Sequence, residues 1–207
     1  MNQNANFRTG LIGIGTVSLF LLTISLLALL SSCGSDSTDK AADANRKRIE
    51  SQGVAISQSA KDEAVSMADN LVDLAGMAHT ARLLSEEALA KATNPQVKNF
   101  ARRALETTRQ TDTELIQVAR QLSLQLPTAP AKAGQNRVDD LKKTSPGTAF
   151  DLTYLEEMEN VSKKAAAVAE DLEDDGTTEP VRAFGKKNRK RLKDQQTAAN
   201  QLTNALN

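Results

Sequence analysis

The residues best suited to chemistry in this chain are hydroxyls and an amide at helical spacing: Thr108 and Thr111, then Ser162, then Gln195. Thr108 and Thr111 interrupt the stripe Val97, Ala101, Ala104, Thr108, Thr111, Leu115, Val118 and Leu122, whose four- and three-residue steps keep one helix face toward a partner. An interruption at mid-height is where a helix bundle houses a metal or a polar ligand. Hydroxyls and amides bind water or a small polar molecule, but they grip iron, manganese and zinc poorly beside carboxylate and imidazole donors. A di-iron carboxylate centre needs Glu-x-x-His on two helices. The single histidine is His79, and Gly76 stands three places before it. No catalytic metal and no cofactor is expected.

The chain is equally bare of an activated nucleophile. No serine stands in a Gly-x-Ser-x-Gly turn, and no glycine loop is built to cradle phosphate. A Ser-His-Asp arrangement would have to pass through His79, which flanks its helix stripe and has no acid and nucleophile placed around it by sequence. The strongest charge feature is the run Lys186, Lys187, Arg189, Lys190, Arg191 and Lys193. It is a candidate patch for anionic lipid or glycan. The reading preferred here is a solvated face pairing with Glu170, Asp171, Glu173, Asp174 and Asp175, which a hairpin folds back toward it.

The elements that position these residues are helical. The chain has 207 residues, 3% aromatics and no Trp, and its body is rich in Ala, Leu, Lys, Glu and Gln, which favour closely packed helices. Formal charge is zero, which gives no global pull toward nucleic acid, and no nucleic-acid partner is expected.

Leu11 to Leu30 is an almost unbroken apolar run preceded by Arg8, long enough for a secretion signal or a membrane span. It ends in Leu30-Ser31-Ser32-Cys33-Gly34. This resembles the lipobox of bacterial lipoproteins: an aliphatic residue, two small ones, then a cysteine that receives diacylglycerol before cleavage. Cys33 is the only cysteine and stands at the boundary, so residues 1–32 are expected to be a lipoprotein signal peptide and Cys33 the lipidation site. Gly34 in place of Asp after the cysteine favours, by analogy with lipoprotein sorting, the periplasmic side of the outer membrane. Residues 33–58 read as a flexible tether of Ser, Asp, Lys, Ala and Asn, with Arg46, Lys47 and Arg48 as a solvated basic cluster.

Residues 59–207 read as four long helices. The first runs from about Ser59 to Ala92. Asn94-Pro95 caps and opens the second, which ends near Leu122. A crossover with Pro127, Pro130, Gly134, Pro146 and Gly147 leaves room for a short helix at about Asn136 to Lys143. The third runs from Thr148 to Glu173, and the fourth from Glu179 to Ala205 with Pro180 in its first turn. Hairpin, long crossover, hairpin is the connectivity of a ferritin-like four-helix bundle, so the expected fold is all-α of that kind.

The stretches Asn94-Pro95-Gln96-Val97-Lys98-Asn99-Phe100-Ala101 and Phe150-Asp151-Leu152-Thr153-Tyr154-Leu155, with the final helix around Phe184, resemble the bacterial family called domain of unknown function 4142. The resemblance covers about residues 60 to 206 and implies an exported, ferritin-like four-helix bundle. It also implies histidines that this chain lacks. Those places hold Thr107 and Thr108, Ser162 and Gln195, while the acidic residue of the first helix falls near Ala81. The layer of Ala81, Thr108, Thr111, Ser162 and Gln195 is then a bundle centre refilled with small polar groups and water, or a pocket for a small polar ligand. The first is preferred, and no small-molecule ligand is expected. The function expected is a non-catalytic, membrane-anchored lipoprotein acting on an envelope protein partner. The alternatives are a metal-binding oxidase or store, and a basic-patch binder.

Overall fold

The computed structural model describes residues 36–52 and 56–207. The signal run, Leu30, Ser31, Ser32 and Cys33 lie outside the described residues. Among the described residues there are six helices and no strand: α1 Ser37–Glu50, α2 Gln58–Lys91, α3 Pro95–Gln121, α4 Lys132–Lys143, α5 Thr148–Asp174 and α6 Glu179–Leu206.

The helix starts follow local chemistry. Ser57, two residues before the expected start, caps α2 by accepting from the Ala60 amide. Asn94 caps α3 with Pro95 in its first turn, and Pro180 takes the equivalent place in α6. Gly147, at φ 141°, turns the chain into α5 through a conformation that a side chain would strain.

The long helices close a ring. α2 packs on α3 and on α5, and α6 packs on α5 and on α3. The α5–α6 contact is the most extensive. Gly185 permits it, because a Cβ there would stand 2.4 Å from the Glu173 amide nitrogen and 2.7 Å from the Ala169 carbonyl oxygen. The apolar core falls into two parts. One gathers Leu84, Val97, Phe100, Leu141, Phe150, Tyr154 and Met158; the other gathers Leu71, Leu74, Leu115, Ala169, Leu172, Val181 and Phe184. Each such large side chain contributes about 1.5–3 kcal/mol on full burial.

The expected flexible tether over residues 33–58 is corrected in part: Ser37–Glu50 is helical. Thr38, Ala41, Asn45 and Ile49 form its buried stripe. Asp36 caps it, accepting from the amides of Thr38 and Asp39 at 3.0 Å. The helix is also stitched to the crossover. The Asn45 side chain donates to the Gln125 carbonyl at 2.9 Å and accepts from its amide at 2.8 Å. Arg46 and Lys47 of the basic cluster are exposed, as expected, Arg46 lying 3.1 Å from Asp69. Arg48 departs from that reading, half-buried and donating to the Leu122 carbonyl at 3.0 Å. α4 begins at Lys132, a turn before its expected start, where the Asp36 carboxylate accepts from the Lys132 amide at 2.7 Å.

Candidate functional site

Between the two apolar parts of the core lies the polar layer. Thr108 and Thr111 on α3, Ser162 on α5, and Asn188 and Gln195 on α6 are all buried. Four of them, Thr108, Thr111, Ser162 and Gln195, line one cavity of about 20 Å³ together with Ala81, Leu74, Met77 and Leu192. That is room for one water molecule and for nothing larger. The helices bring together Thr108 and Thr111, which spacing singled out, with Ser162 and Gln195, which the family resemblance set beside them.

Their hydrogen bonds separate them. Gln195 Nε2 donates to Ser162 Oγ at 2.9 Å, while Gln195 Oε1 is buried with no partner. Thr111 turns away from this pair and donates to Asn188 Oδ1 at 2.8 Å. Asn188 in turn accepts from Arg191 at 2.8 Å and donates to the Phe184 carbonyl at 3.0 Å. Arg191 and Lys187 both reach Glu114 on α3, at 3.2 and 2.7 Å. Thr111 is thus the inner end of a chain that runs through Asn188 and Arg191 to Glu114 at the α3–α6 seam. Burial pushes the Glu114 carboxyl up, but the bonds from Lys187 and Arg191 outweigh it and hold the group below the usual carboxylate range. Asn188 falls in helical register with Phe184, Leu192 and Gln195, and that spacing is the one sequence signal that points to it.

The basic run of α6 is divided among several acids. Arg189 lies 3.1 Å from Glu170 and 2.7 Å from Glu173, and Lys193 lies 3.2 Å from Glu170. Lys187 and Arg191 share Glu114, and Lys190 pairs with Asp194 within α6. Of the six, Lys186 alone has no ion pair among the described residues. Exposed pairs of this kind contribute about 0–1 kcal/mol each.

His79 lies outside the cavity lining. Its Nε2 donates to the Pro127 carbonyl at 3.0 Å, tying α2 to the crossover, and its Nδ1 is buried without a partner. The acid beside it is Asp112, which burial pushes up while the charges of His79 and Arg82 pull it down. One carboxylate and one imidazole are too few for a metal centre. Among the described residues, no group of three or more His, Cys, Asp or Glu side chains is placed to hold a metal ion. The cavity walls are hydroxyls, an amide and alkyl groups. Neutral oxygens of this sort do not fit a tightly held transition ion, and none of them titrates near neutral pH.

The Phe-Asp-x-x-Tyr-Leu element has a structural use. Asp151, buried in the first turn of α5, accepts from the Thr93 and Asn94 amides at 3.1 and 2.8 Å and from the Thr93 hydroxyl at 2.9 Å. It thereby staples the α2–α3 turn to the start of α5. Tyr154, three residues on, meets Ser85 of α2 at 3.0 Å between the two hydroxyl oxygens. Burial raises the Tyr154 phenol well above its ordinary value, and the Ser85 bond acts the other way.

An all-helical bundle with this motif at its turn belongs to a known class of sequence. The family described as a domain of unknown function, DUF4142, matches residues 56–202, and the chain belongs to that family. No curated protein and no solved structure matches the chain.

Proposed function

We propose that this protein is an exported, lipid-anchored protein of the bacterial envelope whose ferritin-like four-helix bundle is a non-catalytic binding module. The anchor is Cys33, the place is the periplasmic side of the outer membrane, and the partner is an envelope protein. The observation that carries the non-catalytic reading is the central layer. Thr108, Ser162 and Gln195 stand where a bundle of this class would carry ligands, around a space of about 20 Å³. The connectivity supports the ferritin-like reading: two hairpins, α2–α3 and α5–α6, joined by a crossover that holds α4.

The anchor rests on Leu30-Ser31-Ser32-Cys33 at the end of the apolar run. Two acyl chains suffice for stable attachment where one is marginal. The test is the intact mass of the chain purified from bacterial membranes. The expected mass begins at Cys33 and includes a diacylglyceryl group, and Cys33→Ala leaves the chain unlipidated. A wild-type chain that keeps residues 1–32 and a free thiol contradicts the reading.

A further inference from the structure

We propose that the bundle lies on its side on the bilayer, with the α1–α4 face toward the lipid and the α3–α6 seam turned away from it. The inference rests on the lipid anchor at Cys33 proposed above. It is carried by where the chain leaves the bundle and by how little of it remains before the anchor.

α1 does not start at an end of the bundle. Thr38, in its first turn, sits against Gly76, where a Cβ would come within 3.2 Å of the Thr38 hydroxyl oxygen. Gly76 is near the middle of α2, about 27 Å from Gln58 and about 22 Å from Lys91 at 1.5 Å per residue. α4 starts at the same height: Gly134 faces Thr80, one turn further along α2. The start of α1 is fixed there. Asp36 holds the Lys132 amide at 2.7 Å, and Ser37 Oγ accepts from the Thr128 amide at 2.7 Å. Further along, the paired Asn45–Gln125 bonds and the burial of Ala41 and Ile49 keep α1 on the bundle.

Only Gly34 and Ser35 separate Cys33 from Asp36. Three steps of extended chain span at most about 11 Å. An upright bundle would put its middle at least about 22 Å from the membrane at either end. The nearer portion would have to sink into the lipid, and neither end of α2 suits that: one carries Gln58, Lys61, Asp62 and Glu63, and the other, with the turn into α3, carries Lys91, Asn94, Gln96 and Asn99. Lying flat is the arrangement that the chain length permits. α4 packs on α2 and α5 and so covers the α2–α5 side of the ring, and α1 packs on α2 with its cap residue Asp36 bonded to the start of α4. The opposite side is the α3–α6 seam, with a groove lined by Phe100, Arg103, Thr107, Arg191 and Asp194. The lipid-facing side carries exposed Asp39, Lys40 and Lys132. Its mixed charge makes the covalent tether, and not electrostatics, the orienting force.

The test uses the full lipidated chain in vesicles of phosphatidylethanolamine and phosphatidylglycerol that contain a headgroup-spin-labelled phospholipid. Cys33 is consumed as a thioether, so an introduced cysteine is the one free thiol for a fluorophore. Ala133→Cys on α4 and Arg103→Cys on α3 are both exposed positions. The expected result is several-fold stronger quenching at position 133 than at position 103. A long Gly-Ser linker inserted between Gly34 and Ser35 is expected to erase the difference. Equal or reversed quenching in a lipidated chain, or a difference that survives the linker, overturns the orientation and leaves the anchor standing. A free Cys33 thiol with no binding to vesicles overturns both.

Discussion

Asp151 and Gln195 are both buried polar side chains in this bundle, and their surroundings differ in kind. The Asp151 carboxylate accepts from two amides and a hydroxyl of the α2–α3 turn. The Gln195 amide gives one bond to Ser162 and leaves its oxygen without a partner beside a water-sized cavity. The first region is a saturated joint and the second a loosely filled centre. Buried polar groups whose bonds are complete help to specify a fold; those left short cost free energy. In this family member the recognisable motif therefore reports on architecture, while the central layer leaves one of its polar atoms without a partner.

The contrast makes graded predictions. The largest effect is expected at the joint. Asp151→Ala strands the Thr93 and Asn94 amides and should cost about 3 kcal/mol in urea denaturation, with Asp151→Asn recovering part of it. A cost under about 1 kcal/mol would put the joint and the centre on the same footing. A smaller effect is expected at the outer end of the Thr111 chain. The Glu114 carboxyl is held below its ordinary value of 4.5, so it stabilises the fold above that pH and loses its contribution as pH falls through the depressed value. Glu114→Gln should flatten the acid side of the melting-temperature profile below about pH 4.5 and leave its slope near neutrality unchanged. An unchanged acid limb would show that the Lys187 and Arg191 contacts are screened away. The smallest effect is expected in the centre itself. Thr108→Val should fold normally and gain roughly 0–1 kcal/mol, because a poorly satisfied buried hydroxyl is removed. A loss of several kcal/mol would reveal a network that the hydroxyl anchors.

Much of this architecture was legible from local signals. Asn94-Pro95, Pro180 and Gly147 punctuate the chain by fixed backbone chemistry, and the four long helices start and stop within a residue or two of their expected places. α1 was not legible, because its stripe of Thr38, Ala41, Asn45 and Ile49 holds one large apolar residue. It is held by bonds to Gln125, Leu122 and Lys132, more than seventy residues away, and no local pattern encodes those. The same limit applied at the centre. Helical spacing gathered Thr108, Thr111, Ser162 and Gln195 around one cavity, but it could not show that Thr111 bonds to Asn188, nor that Glu114 on α3 is the acid that takes Lys187 and Arg191. Pairing across a seam depends on rotation about two helix axes, which periodicity alone leaves open.

The central claim is that this bundle encloses too few donors to hold an ion. Its most direct test is elemental analysis of the purified mature chain after incubation with iron, manganese and zinc and removal of loosely held metal by a chelator. The account predicts metal far below one equivalent and a melting temperature unmoved by any of the three. A full equivalent retained by the wild-type chain and lost in Gln195→Leu would contradict it.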